Sequence, residues 1–411
     1  MSNLVKPDYW QHDLVKGDGH KELTTLNLGP THPATHGIFQ NVLTLDGEII
    51  QSAEQTIGYI HRAFEKIAER KPFYHTAVLT DRMNYCSAPI NNMGWHMAVE
   101  KLLGIETPKR VDYLRIIAME LARISDHVIC NSEIGVDTGA LTGFTWIFQQ
   151  REKIYDIFEE ICGARLTTNM GRIGGFERNF NEKCWQLIRD FVKDFPAALA
   201  EFDGLLTRNR IFMDRTINCG PFPADRALAY GFTGPNLRAC GVDYDVRVAD
   251  PYCSYGDLDF EIPIGQNGDT YDRFMVRDQE MKQSINMIRQ CIEKLDKMPD
   301  KKTFTADVPA WVLPPKEQVY NQMEALIWHF KIVMGETDVP RGEVYHCVEG
   351  GNGELGFYVV SDGGRTPSRV HFRRPCFVYY QAYPEMIKGS MLSDAILTMS
   401  SMNVIAGELD A

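Results

Sequence analysis

Apolar positions recur at two periods along this chain, and the change from one to the other divides it. Near the amino end, LTTLNL (23–28) interleaves polar and apolar residues at a period of two, which predicts a short strand. IFQNVLTL (38–45) and EIIQSA (48–53) flank Asp46-Gly47, a pair suited to a two-residue turn with positive φ, so this stretch predicts a β-hairpin. From about residue 90 the spacing lengthens to three and four. Leu114, Ile117, Leu121, Ile124 and Val128 predict a long helix over about 108–132. A second helix is predicted over 140–162, stopped by Gly163, and a third over 181–206, broken at Pro196. A fourth, over 270–295, carries Phe274, Met281, Ile285, Ile288 and Ile292. Four long helices with one apolar stripe each bury those stripes best against one another, as a bundle.

The remainder fills in around that bundle. Residues 207–268, rich in Gly, Pro and Asp, read as long ordered loops, and 316–334 as one more helix. The period returns to two at 342–348, 354–361 and 368–372, with Asp362-Gly363-Gly364 as a turn. The resulting class is α+β, with three parts: an N-terminal β-hairpin unit (1–70), a helical bundle with long ordered loops (71–310), and a C-terminal helix and β-hairpin (311–411).

Composition narrows the functions. The 411 residues include 43 basic and 55 acidic side chains, a net charge of −12 that repels phosphate and argues against nucleic acid. No apolar run reaches the roughly 18 residues of a membrane span. The nearest, Leu326 to Met334, is interrupted by His329 and Lys331. The amino terminus lacks the apolar core of an export signal. Ten cysteines are scattered with no C-x-x-C pair, so no metal ligation through cysteine pairs is expected. GNGELG (351–356) matches a dinucleotide-binding fingerprint letter for letter. The residues after it have a strand pattern, where that motif needs a helix amino terminus, so it reads as a hairpin connection.

Several polar positions are candidates for chemistry. GPTHPATHG (29–37) presents His32 and His36 on a loop stiffened by two prolines. Tyr85 sits in the irregular DRMNYCSAPINN (81–92). Asp137 lies where two helices meet and could serve as the N-cap of the second. Arg115, Glu120, Arg123 and His127 occupy polar positions of the first long helix, as a solvated face or as interhelical ion pairs.

Taken together, GPTHPATHG (29–37), GYIHRAFEK (58–66), DRMNY (81–85), ELARISDH (120–127), GRIGG (171–175), LRACGVDYDVR (237–247) and GELGFYVVSDGG (353–364) resemble the large hydrophilic quinone-site subunit of respiratory complex I, the D subunit of the NADH-quinone oxidoreductases. The likeness runs from about residue 23 to the end. It implies the fold of nickel-iron hydrogenase large subunits, from which the family descends. Such a hydrogenase needs two C-x-x-C pairs. The resemblance puts them at Asn84 and Ser87 and at Cys376 and Tyr379, where one thiolate remains of four, too few for a nickel-iron centre. An energy-converting hydrogenase is therefore the weaker reading, and an inert scaffold within the same complex is the other.

The resemblance further implies that His36 and Tyr85 meet the two quinone oxygens, with Asp137 beside the histidine. An imidazole and a phenol can each donate a hydrogen bond and then a proton, which two-electron reduction of a quinone requires. Quinone (menaquinone or ubiquinone) would be the substrate, with no cofactor held by this chain alone. Electrons would come from an iron-sulfur cluster in a neighbouring subunit, with Arg62 near it. Glu65 and Arg82 would hold the pocket's fold. Thr167 and Thr168 stand where relatives often carry a histidine close to that cluster, which implies a potential with weak pH dependence. The partners implied are that subunit and the other peripheral-arm and membrane-arm subunits. The place implied is the cytoplasmic face of the bacterial inner membrane, and the overall reaction is NADH:quinone oxidoreduction coupled to proton translocation.

Overall fold

A computed structural model describes residues 23–35 and 37–411. Strands β1 (Thr24–Leu28), β2 (Gln40–Asp46) and β3 (Ile49–Thr56) form one antiparallel sheet in that order, with Leu26 opposite Leu43 and Thr44 opposite Ser52. The predicted turn at Asp46-Gly47 is present, Gly47 taking φ 63°. Alternation then puts Leu28, Leu43 and Ile50 inside.

The bundle consists of α1 (Ala88–Leu103), α2 (Lys109–Asp137), α3 (Leu141–Cys162), α4 (Glu182–Leu206) and α5 (Thr270–Lys297). Helix α2 is central, and every residue from Arg110 to Ser132 is buried. Its predicted stripe is inside, but so are Arg115, Glu120, Arg123 and His127, each at most 1% exposed. These side chains are paired with α1, α5 and the loops, so the ion-pair reading holds and the solvated-face reading does not. Two helix predictions need correction. Pro196 does not break α4, because Phe195, Ala198, Leu199 and Phe202 anchor it on both sides of the missing N–H. The helix expected over 316–334 is split at Gln322, whose backbone is extended (φ −129°, ψ 126°), into Lys316–Asn321 and α6 (Met323–Met334). The stretch 207–268 is more helical than expected, with short helices at Arg210–Thr216, Ala224–Tyr230, Gly234–Ala239 and Val246–Ala249.

At the carboxy end β4 (Gly342–Glu349), β5 (Glu354–Ser361) and β6 (Arg369–Arg373) form a second antiparallel sheet, and α7 (Leu392–Met402) packs on α2 and α5. GNGELG is the β4–β5 connection. A side chain at Gly351 would overlap the Asp126 carboxylate, so that glycine serves close packing and not a phosphate. A second apolar core joins the amino-terminal sheet to the carboxy tail: Leu43 and Ile50 pack with Tyr379, Tyr380 and Met386. Ile50 N–H donates to Ser390 O (2.9 Å) and Gly389 N–H to Ile50 O (2.8 Å). No helix among the described residues is long and apolar enough to cross a membrane. Met323, Leu326 and Phe330 of α6 are more than half exposed.

Candidate functional site

Tyr85 opens a single 3₁₀ turn, Tyr85–Ser87, between the DRM segment and α1. Asn84 caps the turn, its Oδ1 accepting from Cys86 N–H at 3.1 Å. Asn84 Nδ2 and Ser87 Oγ both donate to Asp126 Oδ2 of α2 (2.8 and 3.2 Å). From the opposite side Asn403 Nδ2 donates to Asp126 Oδ1 (2.8 Å) and to Asn352 Oδ1 (2.6 Å). Asn352 Nδ2 continues to Cys376 Sγ (3.3 Å) and to Glu408 Oε2 (3.1 Å). Tyr379 O–H donates to Asn403 O (2.8 Å), which leaves the Cys376 thiol to donate to the Tyr379 oxygen, 2.8 Å away.

The four positions where the resemblance puts hydrogenase thiolates therefore converge on one buried network centred on Asp126 and Asn403. Burial, reinforced by Glu408, pushes the Cys376 thiol well above its ordinary pKa, so it stays protonated. Among the described residues no group of three or more His, Cys, Asp or Glu is placed to hold a metal. In the same segment Asp81 is buried with neither carboxyl oxygen partnered. Burial raises its pKa to about 8, so it is largely uncharged at neutral pH.

Tyr85 stands half-buried over this network. Burial first, then the neighbouring Cys86, Glu133 and Cys376, push its phenol above the usual value, which keeps it a neutral donor. The carboxy tail lies against it. A side chain at Gly407 would overlap Arg82 O and Met83 O, so the tail and the DRMNY segment touch backbone to backbone.

The other expected site residues are spread around Tyr85. His36 lies outside the described residues. The loop on either side of it is braced: Thr35 Oγ1 donates to Pro30 O and His32 O (3.0 Å each), and Phe39 is fully buried with its ring centroid 5.1 Å from that of Tyr380. Asp137 is the last residue of α2 and not the N-cap of α3. That position is Ala140, with no side-chain cap, because α2 runs five residues past its predicted end. Asp137 is exposed and accepts a hydrogen bond from Ser400 Oγ of α7. Arg62 is exposed, its guanidinium 4.7 Å from the Phe64 ring centroid. Its loop is clasped by the tail: Gly58 N–H and Ile60 N–H donate to the Asp410 carboxylate (2.9 and 3.1 Å). Glu65 accepts from Phe372 N–H (3.0 Å) and pairs with His371 (2.9 Å), joining this region to β6. Arg82 donates to Val78 O (2.7 Å).

Sequence reading missed Asp126, Glu133, Asn403, Glu408 and Asp410. Asp126, Cys130, Glu133 and Asp137 are spaced four, three and four apart. At 100° per residue they lie within about 60° of one another, on a single stripe of α2. That signal was available. Nothing local marks the tail residues, because the partners of their side chains lie 32 to 352 positions away. At the GRIGG turn Thr167 takes φ 52°, Thr168 Oγ1 is buried without a partner, and the nearby His96 is held well below its ordinary pKa by burial, then by Arg172 and Arg115. A cleft of about 1190 Å³ opens beside that turn, lined by Arg172, Phe176, Trp311 and Trp328 among others. Tyr85, Asp137 and Arg62 are not part of its lining.

Residues 137–411 match the family model described as the respiratory-chain NADH dehydrogenase 49 kDa subunit. A protein of Cytophaga hutchinsonii, the second NADH-quinone oxidoreductase D subunit of that organism, is 71% identical over 95% of this chain and 99% of its own length. The chain belongs to this family. The NADH-quinone oxidoreductase D subunit of Flavobacterium johnsoniae is 65% identical over the full length of both chains. A Bdellovibrio bacteriovorus relative, named as a C/D subunit, is 46% identical over 94% of this chain and 68% of its own length. As a member of the family, the chain is a subunit of a multisubunit oxidoreductase and works among other complex I subunits.

Proposed function

We propose that this subunit forms, with the cluster-bearing subunit, the site where quinone is reduced and protonated, in a complex that couples NADH oxidation to proton translocation. The observation that carries the reading is the Tyr85 phenol: half-buried, kept neutral, and seated over a network whose carboxylate, Asp126, is already engaged by Asn84, Ser87 and Asn403. It can therefore offer its proton outward to a quinone carbonyl. Quinone reduction takes two electrons and two protons. The electrons come from the partner's iron-sulfur cluster, one proton from Tyr85, and the other from His36, with Asp137 stabilising the imidazolium.

Arg62, exposed beside the tail-clasped loop, is free to face the partner, where a cation raises the cluster's potential. The chain alone, lacking the electron donor, is inactive. With Thr167 and Thr168 in place of a titrating histidine and His96 held neutral, the cluster's potential is low and nearly independent of pH, which suits menaquinone. The complex sits on the cytoplasmic face of the inner membrane, held by its partners.

The test is NADH oxidation by membranes carrying Tyr85→Phe, measured with quinone and with an artificial acceptor that draws electrons upstream. Loss of one hydrogen-bond donor to the reacting group should lower quinone reduction by about 10²-fold and leave the artificial-acceptor rate as it was. Parental rates in both assays would make Tyr85 a packing residue of a scaffold, and loss of both would give it a role in assembly.

A further inference from the structure

On the stripe Asp126, Cys130, Glu133 and Asp137, Glu133 is the carboxyl that neither the Tyr85 network nor the proposed chemistry uses. Asp126 faces the Tyr85 turn through its bonds from Asn84 and Ser87. Cys130 Sγ donates to Ser400 O (3.5 Å) and Asp137 accepts from Ser400 Oγ, which fixes the other end of the stripe on α7. Glu133 lies between these anchors on the same face, mostly buried. Its charge is felt at Tyr85, Cys86 and Cys130.

Among the described residues, the groups around Glu133 are largely acidic or neutral: Asp126 and Asp137 on its own helix, Cys86 and Tyr85 on the 3₁₀ turn, and Cys130. The cation that faces it is Arg151 of α3. That guanidinium lies 4.5 Å from the Tyr155 ring centroid and 4.7 Å from that of Phe148, and its Nε is buried without a partner. Tyr155 (7% exposed) and Ser125 (fully buried) also bring unpartnered hydroxyls into this region. So a mostly buried carboxyl shares a helix face with Asp126, which is bonded to the Tyr85 turn, and its charge reaches the phenol. Buried polar atoms with spare hydrogen-bonding capacity back it, which is what a proton route needs.

We propose that Glu133 is the proton reservoir for Tyr85, returning a proton to the phenolate after Tyr85 has protonated the quinone. The inference rests on Tyr85 being a quinone ligand. In balance, the Tyr85 O–H bond breaks as its proton joins the reduced quinone oxygen, with both electrons supplied by the complex. The Glu133 O–H bond then breaks as the phenolate is reprotonated, and the carboxylate regains a proton from water. Burial, then Asp137, raises Glu133 to about 7 against the pull of Arg151, so it is substantially protonated at neutral pH. The buried phenol sits far higher, so the transfer runs downhill.

The acid form is the donor, so quinone reduction should fall as pH rises through about 7. The experiment measures the ratio of quinone to artificial-acceptor rates against pH, in membranes of the parent, Glu133→Gln, Glu133→Asp and Tyr85→Phe. In Glu133→Gln the ratio should fall by about tenfold or more and lose the step near 7. Glu133→Asp should restore a step. Parental and Gln profiles that superimpose would overturn the proposal. If Glu133→Gln fails to assemble and both its rates vanish, the Asp variant decides. A displaced step supports the relay, and a profile unchanged in midpoint and height refutes it. A silent Glu133→Gln beside a crippled Tyr85→Phe overturns only the relay, whereas a silent Tyr85→Phe overturns the quinone site itself.

Discussion

Helix α2 carries charge in the middle of its buried stretch and again at its C-terminal end, and the two regions treat it in opposite ways. Around Glu120 buried carboxylates are met by buried arginines and hydroxyls. Its carboxylate accepts from Ser284 Oγ (2.6 Å), Tyr255 O–H (2.7 Å), Arg123 Nε (3.2 Å) and Arg247 Nη1 (3.3 Å). Arg238 reaches Glu280 (2.6 Å) and Glu349 (2.9 Å), Arg247 reaches Asp245 (2.7 Å), and His127 shares Glu280 (2.8 Å). Burial works against the charged forms, yet the arginines hold Glu120, Asp245 and Glu280 below the usual carboxylate range. Four carboxyls meet three guanidiniums, and the excess proton affinity falls on Glu349, raised by burial and by Asp245. His127 is kept neutral by burial despite Glu280.

At the C-terminal end Glu133 feels Asp126 and Asp137 against Arg151, and the imbalance is met by a proton on Glu133 instead of a cation. A saturated network holds α2, α5 and β4 in place. An undersaturated one keeps a proton available where Tyr85 can use it. The difference lies in how many arginines reach the carboxyls, four carboxyls meeting three guanidiniums around Glu120 while Arg151 is the cation set against Glu133.

Breaking the Glu120 network has the largest effect. Glu120→Ala strands Arg123 and Arg247 without their shared acceptor, at a cost of about 3–5 kcal/mol. The complex should then be missing from native gels, and quinone and artificial-acceptor rates should fall together. Gly407→Ala forces a methyl against Arg82 O and Met83 O, about 1–3 kcal/mol of overpacking. Because it displaces the Tyr85 turn, it should lower quinone reduction more than the artificial-acceptor rate. A smaller change sharpens the contrast at the acidic end. Asp137 helps hold Glu133 high, so Asp137→Asn should move the step in the quinone pH profile below about 7, read as the midpoint of the rate ratio. The smallest signal is the cluster potential, which should show almost no slope between two pH values in a redox titration. A strong slope would mean that another group replaces the histidine absent at Thr167 and Thr168.

Much of this molecule is readable from periodicity. The stripe on α2, the stop at Gly163 and the Asp46-Gly47 turn each follow from a few neighbouring residues, and the structure places them as the pattern predicts. Pro196 misleads because propensity is local while Phe195 and Phe202 hold their helix from outside. The site is legible only in pieces. Tyr85 stands out through a motif, whereas Glu133 looks like one more surface charge on an amphipathic helix, because its burial depends on α3, α7 and the Tyr85 turn together. The tail looks unremarkable in sequence, yet Asn403, Glu408 and Asp410 tie Asp126, Cys376 and the Gly58–Ile60 loop to one another. Those contacts span about 30 to 350 residues of chain, beyond the reach of any window.

The central claim is that quinone meets this subunit at Tyr85 and not in the cleft beside the GRIGG turn. It is tested most directly by photolabelling the assembled complex with a photoreactive quinone and mapping the modified peptides. Label within the peptides spanning 29–39 and 81–92, suppressed by excess unlabelled quinone, is the result predicted here. Competable label confined to 303–318 or α6, at the cleft lined by Trp311 and Trp328, would contradict it.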